Sequence, residues 1–201
     1  MHVVLERAVN EISSEIRELD AETTQLHPKG LSYKWSAQQV IEHLVLSYRF
    51  TTEGLEARLN KGLSRNRTRT RLQWSLQLMI LSFGALPRGV PALDETMPTP
   101  GSFAAMNGRQ LEHLLRQEMG AMDAVLDRCR RKFGMERVST HPWLGPLRVD
   151  QWRRFHIVHG LHHVTQLRSV IELVSPSPAP VRITRENLVE KLQIPAQRPL
   201  A

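Results

Sequence analysis

The chain contains a single cysteine, Cys129, among 201 residues, so no disulfide can form within it. A disulfide-stapled secreted domain is therefore excluded, and we expect a reducing, cytoplasmic location. The longest apolar stretch, residues 76–86, is interrupted by Gln77 and Ser82. It is far shorter than the roughly 20 residues that a membrane-spanning helix requires, so we expect no membrane partner. The sequence also lacks a Gly-rich phosphate loop and a nucleophile elbow.

Aromatic residues are few, with five Phe, four Trp and two Tyr, whereas positive charge is abundant. The net charge of +7 would attract an anionic small molecule from a distance, and it would equally suit nucleic acid. The two basic runs, residues 65–71 and 128–132, are not interleaved with the aromatic residues that a stacking platform needs. We therefore interpret both runs as solvated helix ends and do not expect a nucleic-acid partner.

Apolar residues recur at helical spacing along most of the chain, and no segment shows sustained alternation with a period of two. These patterns predict an all-α protein with little or no sheet. Three long helices are predicted over residues 3–26, 37–60 and about 103–132, with a fourth around His159, and a further helix is predicted over residues 69–83. Proline clusters at residues 87–91 and 97–101 predict a long loop.

The chain length suits one domain, which we place at residues 1–174. The Pro-rich run at residues 175–180 predicts a stiff linker, and residues 184–192 predict a short tail helix. Residues 175–201 are therefore expected to form a linker and a peripheral tail.

Histidines lie within the apolar stripe of the helix around residue 159. His159 and His163 are four apart, about 40° around the axis and ~6 Å along it, which lets both imidazoles bind one metal ion. His156 and His163 are separated by a rise of ~10 Å and cannot share an ion. His43, on an earlier helix, would supply a third ligand. Three histidines leave one coordination position open for water or substrate.

Other interpretations of these histidines stay open. The whole group could consist of hydrogen-bonded core or interface residues instead of metal ligands. His156 is the best candidate for a catalytic acid or base, or for a partner that orients a ligand, and simple packing is its alternative. His141 and His162 receive no assigned role.

Three motifs resemble those of the DinB-like family of four-helix-bundle metalloproteins, over roughly residues 5–174. They are Trp35-Ser36 followed by His43, the run from His141 to Leu147 leading into Trp152, and the pattern H-x-x-H-H-x-x-Q ending at Gln166. The resemblance implies a bundle that holds a divalent metal, zinc or nickel, through His43, His159 and His163. It further implies a metal-dependent hydrolase or a transferase of low-molecular-weight thiols. Val164-Thr165 departs from the arginine-glycine found before the glutamine in many thiol-transferase relatives.

The expected function is thus that of a metal-dependent hydrolase or a small-molecule or thiol transferase, acting on an anionic or thiol substrate. The alternative is a non-catalytic metal-binding bundle that uses its site for stability or dimerisation. A nucleic-acid binder is a weaker third candidate, because it rests on charge alone. The hydrophobic segment at residues 76–86 predicts a homodimer.

Overall fold

The computed structural model describes residues 1–31, 34–62, 68–87, 89, 92–99 and 101–174. The chain is mostly helical, which confirms the predicted all-α class. Helix α3 packs most extensively on α5, and α1 packs on α6, so these four helices form the bundle. In chain order the helices and strands are α1 (Val3–Ile16), α2 (Ala21–Gln25), α3 (Ala37–Lys61), α4 (Arg71–Gln77), α5 (Gly108–Phe133), β1 (Arg137–His141), β2 (Gly145–Arg148) and α6 (Val149–Val174).

Capping boxes explain where the two central helices begin. At the start of α3, Ser36 Oγ accepts a hydrogen bond from Gln39 N while Gln39 Oε1 accepts one from Ser36 N. Asn107 and Gln110 form the same reciprocal pair at the start of α5. Each box satisfies backbone N–H groups that a helix start leaves without partners. Helix α5 therefore begins at Gly108, five residues later than the sequence predicted.

The single helix predicted over residues 3–26 is wrong, because α1 ends at Ile16 and α2 starts only after Asp20. The Asp20 carboxylate caps α2 by accepting the backbone N–H three residues on. The start of α5 occupies the gap between the two helices. A Cβ on Gly108 would lie 1.7 Å from the Ile16 carbonyl oxygen, and Gly108 N donates to Leu19 O at 2.9 Å. Only glycine permits so close a contact.

The helix predicted over residues 69–83 is shorter than expected and ends irregularly. The α-helical part, α4, ends at Gln77, and one π-helical turn follows it over Leu78–Ser82. The Gln77 side chain is buried, and its Nε2 donates to the carbonyl oxygen of Leu144 at 2.7 Å. This hydrogen bond fixes α4 against the strands.

Strands β1 and β2 form a small antiparallel hairpin, in line with the expectation of little or no sheet. The hairpin leads directly from β2 into α6. In its turn, His141 Nδ1 accepts hydrogen bonds from Trp143 N at 3.1 Å and Leu144 N at 3.2 Å. The hairpin therefore sets the position at which α6 starts.

Within the described ranges, no helix is long and apolar enough to cross a membrane. The predicted linker at 175–180 and the tail helix at 184–192 lie outside the described residues.

Candidate metal centre

Three histidines meet in the seam between α3 and α6. His43 comes from the second turn of α3, and His159 and His163 come from the middle of α6. Their side chains are buried, with exposed fractions of 5–8%. The structure thus brings together all three residues that the sequence predicted as ligands, and we call them the three-histidine cluster.

The Nε2 atoms of the cluster converge on one point. His43 Nε2 and His163 Nε2 each lie 3.1 Å from His159 Nε2, and all three atoms lie within 4.8 Å of one another. Two nitrogens on a tetrahedral zinc ion with bonds of about 2.1 Å are about 3.4 Å apart. The three nitrogens are therefore spaced closely enough to hold one metal ion.

Hydrogen bonds to Nδ1 fix the tautomers of two of these rings. His43 Nδ1 lies 2.8 Å from the carbonyl oxygen of Thr96, and His163 Nδ1 lies 2.7 Å from Gln166 Oε1. Both oxygens can only accept, so both Nδ1 atoms donate. A neutral ring that carries its proton on Nδ1 has a lone pair on Nε2. Two lone pairs therefore point at His159.

His159 cannot satisfy both lone pairs. Its Nε2 can carry one proton and so can donate to His43 or to His163, but not to both. A cation at the centre would instead accept all three lone pairs, so the donor set fits a metal ion. His159 Nδ1 has no hydrogen-bond partner among the described residues, and the ring is held by stacking on Phe155, with centroids 5.4 Å apart.

Burial keeps the cluster neutral. It lowers the pKa of His43, lowers that of His163 to about 3 and places that of His159 well below its ordinary value. The neighbouring imidazoles add to the effect at His159 and His163. Neutral imidazole is the form that binds metal, so the site is ready to do so at neutral pH.

His156 lies one turn before His159 on α6 and is completely buried. Its Nε2 lies 3.0 Å from Thr51 Oγ1, and its ring packs between Tyr48 and Trp152. Neither His156 Nδ1 nor the Tyr48 hydroxyl has a hydrogen-bond partner within the described ranges. We refer to this contact as the Thr51–His156 pair.

The remaining motif residues surround these two groups. His141 packs against Phe155 with ring centroids 4.4 Å apart and lies outside the cluster. His162 is partly buried and contacts the edge of the His163 ring. The Trp35 ring packs on the His43 ring with centroids 5.0 Å apart, so Trp35 contacts the cluster directly. Trp143 is half exposed in the hairpin turn.

Sequence patterns alone missed two supporting residues. Thr96 contributes only its backbone carbonyl, from a 3-10 turn in the loop before α5, and no side-chain motif marks such a contact. Thr51 lies eight residues after His43, about 80° around the axis, so helical spacing could have placed both in the same seam.

A helical bundle with converging buried histidines defines a class of potential metal-binding proteins. A family model described as "Protein of unknown function (DUF1569)" matches residues 5–170, and the chain belongs to that family. The family is part of the DinB-like superfamily, in agreement with the motif resemblance. Comparisons with curated proteins and with solved structures found no match.

Proposed function

We propose that this protein binds one divalent metal ion, zinc or nickel, through His43, His159 and His163, and uses it as a hydrolase or as a transferase of small molecules such as thiols. The observation that carries the proposal is the pair of Nε2 lone pairs directed at a third imidazole. The family match to the DinB-like superfamily is compatible with it.

The composition of the site supports a catalytic use. The cluster contains no carboxylate or thiolate among the described residues, so nothing in it neutralises a dication. A divalent ion held there would supply Lewis acidity toward a small, electron-rich substrate in the fourth position. The three imidazoles would fix its position in the buried seam.

We propose a positioning role for His156. Its fully buried ring fills the seam directly behind His159, and its hydrogen bond with Thr51 ties α6 to α3. This arrangement would hold His159 in register with His43. Because His156 is fully buried, we propose this positioning role for it in place of direct contact with a substrate.

The test begins with metal content. We expect His159→Ala to abolish stoichiometric binding of zinc or nickel, as measured by elemental analysis, because every pair of α6 histidines at i,i+3 or i,i+4 spacing contains His159. His156→Ala should retain the ion, with an altered affinity. A His159→Ala protein that keeps one equivalent of metal would contradict the ligand assignment.

Activity is tested on the same preparations. The metal-free protein should be inactive, and zinc or nickel should restore turnover of a small activated ester, amide or thiol-acceptor substrate. Turnover should rise through neutral pH as the nucleophile, which is water for a hydrolase or a thiol for a transferase, ionises.

A non-catalytic, dimeric metal-binding bundle is the second candidate. Leu72 and Phe83 are 69% and 75% exposed, which suits a surface that a second copy covers. In that case the ion would raise the free energy of unfolding by mass action. The protein would turn over no substrate in a broad panel. Light scattering at micromolar concentration tests for the dimer. Detection of monomer alone would rule the dimer out.

A further inference from the structure

The net charge of the protein is concentrated in one stretch of the chain. Residues 57–93 contain seven of the 27 Lys and Arg residues and none of the 20 Asp and Glu residues. The other residues therefore carry 20 charges of each sign and are neutral as a set. The net charge of +7 is thus equal to the charge of this one stretch of sequence, which includes α4.

Two arginines of the hairpin lie near Arg69, which belongs to this stretch. Arg137 and Arg148 are cross-strand partners in the hairpin. The pKa of Arg69 lies below its ordinary value because of partial burial and then because of the positive charges of these two residues. Arg69 Nη1 donates to Gln77 Oε1 at 2.9 Å, and Gln77 is bonded in turn to Leu144 O. Arg69 is thus fixed in place by an uncharged amide.

Arg69, Arg71 and Arg148 differ in their contacts with carboxylates. Asp150 accepts two hydrogen bonds from Arg148, which leaves that arginine partly compensated. Arg69 has no carboxylate partner among the described residues, and Arg71 is exposed at the start of α4. A fixed, partly buried arginine beside like charges costs free energy, which an anionic partner would recover.

Two exposed tryptophans flank the same junction. Trp74 is 43% exposed on α4, and Trp143 is 50% exposed in the hairpin turn. The residues next to them make the contact between α4 and the hairpin, since Gln77 binds Leu144 O and the Gln73 side chain lies against Gly145. The basic run at residues 65–71 contains no aromatic residue. The aromatic rings of this junction are Trp74, on α4, and Trp143, in the hairpin some 70 residues later in the sequence.

We propose that this face, the arginine–tryptophan surface formed by Arg69, Arg71, Trp74, Arg137 and Trp143, binds single-stranded nucleic acid. Guanidinium groups pair with phosphates, and indole rings stack on bases. A phosphodiester chain supplies one negative charge per nucleotide to pair with the arginines of this surface. An acidic protein segment would match the charge and would leave the two indoles without a stacking partner, so nucleic acid is the better fit.

The experiment measures binding of a fluorescein-labelled oligo-dT of about 20 nucleotides by anisotropy, at about 50 mM salt and upward. The Arg69→Gln/Arg71→Gln variant should flatten the slope of log K against log salt by about 1.4, since each phosphate contact contributes about 0.7. Trp143→Ala and Trp74→Ala should each weaken binding at least about fivefold. Intrinsic tryptophan fluorescence should be quenched on binding, and the quenching should be smaller in Trp143→Ala.

Matched controls separate this surface from general charge. Arg109→Gln/Arg128→Gln removes two exposed arginines that pair with Glu18 and Glu56 elsewhere. Leu173→Ala removes a side chain that is 50% exposed, as Trp143 is. Both controls should bind like the wild type, and thermal melting of every variant verifies folding.

Three results would overturn the proposal. The first is an absence of wild-type binding at about 50 mM salt. The second is an equal loss in the Arg109/Arg128 control, which would indicate general charge attraction. The third is displacement of the oligonucleotide by polyglutamate as effectively as by unlabelled oligo-dT, which would assign the surface to acidic protein segments.

Discussion

The three-histidine cluster and the Thr51–His156 pair both join α3 to α6, with His156 one turn before His159, and their imidazoles are all buried and neutral. They differ in what faces Nε2. In the pair, a hydroxyl that can donate or accept lies 3.0 Å from the ring nitrogen. In the cluster, each Nε2 faces another imidazole nitrogen. Burial is common to both groups, so the neighbour of each Nε2 is the feature on which the proposed difference in metal binding rests.

The first prediction tests the difference between the two groups with zinc, and its expected effect is the largest. Zinc at about 1,000 times its dissociation constant should raise the free energy of unfolding by about 4 kcal/mol. His163→Ala should lose most of this increment. Thr51→Val should keep it, although its own stability falls by about 1 kcal/mol when His156 Nε2 loses its partner. Urea unfolding with and without zinc measures both, and equal zinc effects in the two variants would contradict the distinction.

The second prediction concerns the close contact that holds both groups in the seam. A Cβ on Gly160 would lie 3.0 Å from Ile12 Cδ1 and 3.9 Å from the Tyr48 hydroxyl. Gly160→Leu should therefore destabilise the protein by about 3 kcal/mol through overpacking. In α5, Gly120 has no atom within 4 Å of its Cβ position, so Gly120→Ala should stabilise by about 0.5–1 kcal/mol. Chemical denaturation compares the two, and a tolerated Gly160→Leu would show that α1 moves aside easily.

The third prediction extends the comparison to His141, whose Nδ1 accepts two backbone N–H groups. Burial lowers the pKa of His141 to about 3, below the ordinary value of 6.5. The unfolded chain therefore binds the proton more readily, and the stability contributed by neutral His141 is lost as pH falls below about 6.5. Between pH 7 and pH 5 the loss should be about 2 kcal/mol.

His141→Asn provides the matched variant, because the amide oxygen accepts the same two hydrogen bonds without titrating. Its free energy of unfolding should fall by about 2 kcal/mol less than that of the wild type over this pH interval. Identical pH profiles for both proteins would show that His141 is not responsible.

Much of the fold and of the candidate site follows from local sequence patterns. His159 and His163 share a helix, so their geometry is set by a spacing of four, and the Ser36–Gln39 box set the start of α3 correctly. The break after Ile16 was missed because it depends on Gly108, more than ninety residues away. The contact of the Thr96 carbonyl and the arginine–tryptophan surface could not be predicted from the sequence for the same reason. Both are created by tertiary contacts between segments that are far apart in the chain.

The hydrogen bond from His43 to Thr96 has a thermodynamic consequence. Thr96 belongs to a turn outside the long helices, and its carbonyl alone sets which nitrogen of His43 faces the cluster. If the cluster binds an ion as proposed, ion binding and formation of this hydrogen bond would share one coupling free energy, and that coupling would be reciprocal. A change that breaks the hydrogen bond would weaken the ion's affinity by the same factor by which the ion strengthens the bond. Protection of residues 92–99 from proteases would then report metal occupancy without knowledge of the substrate.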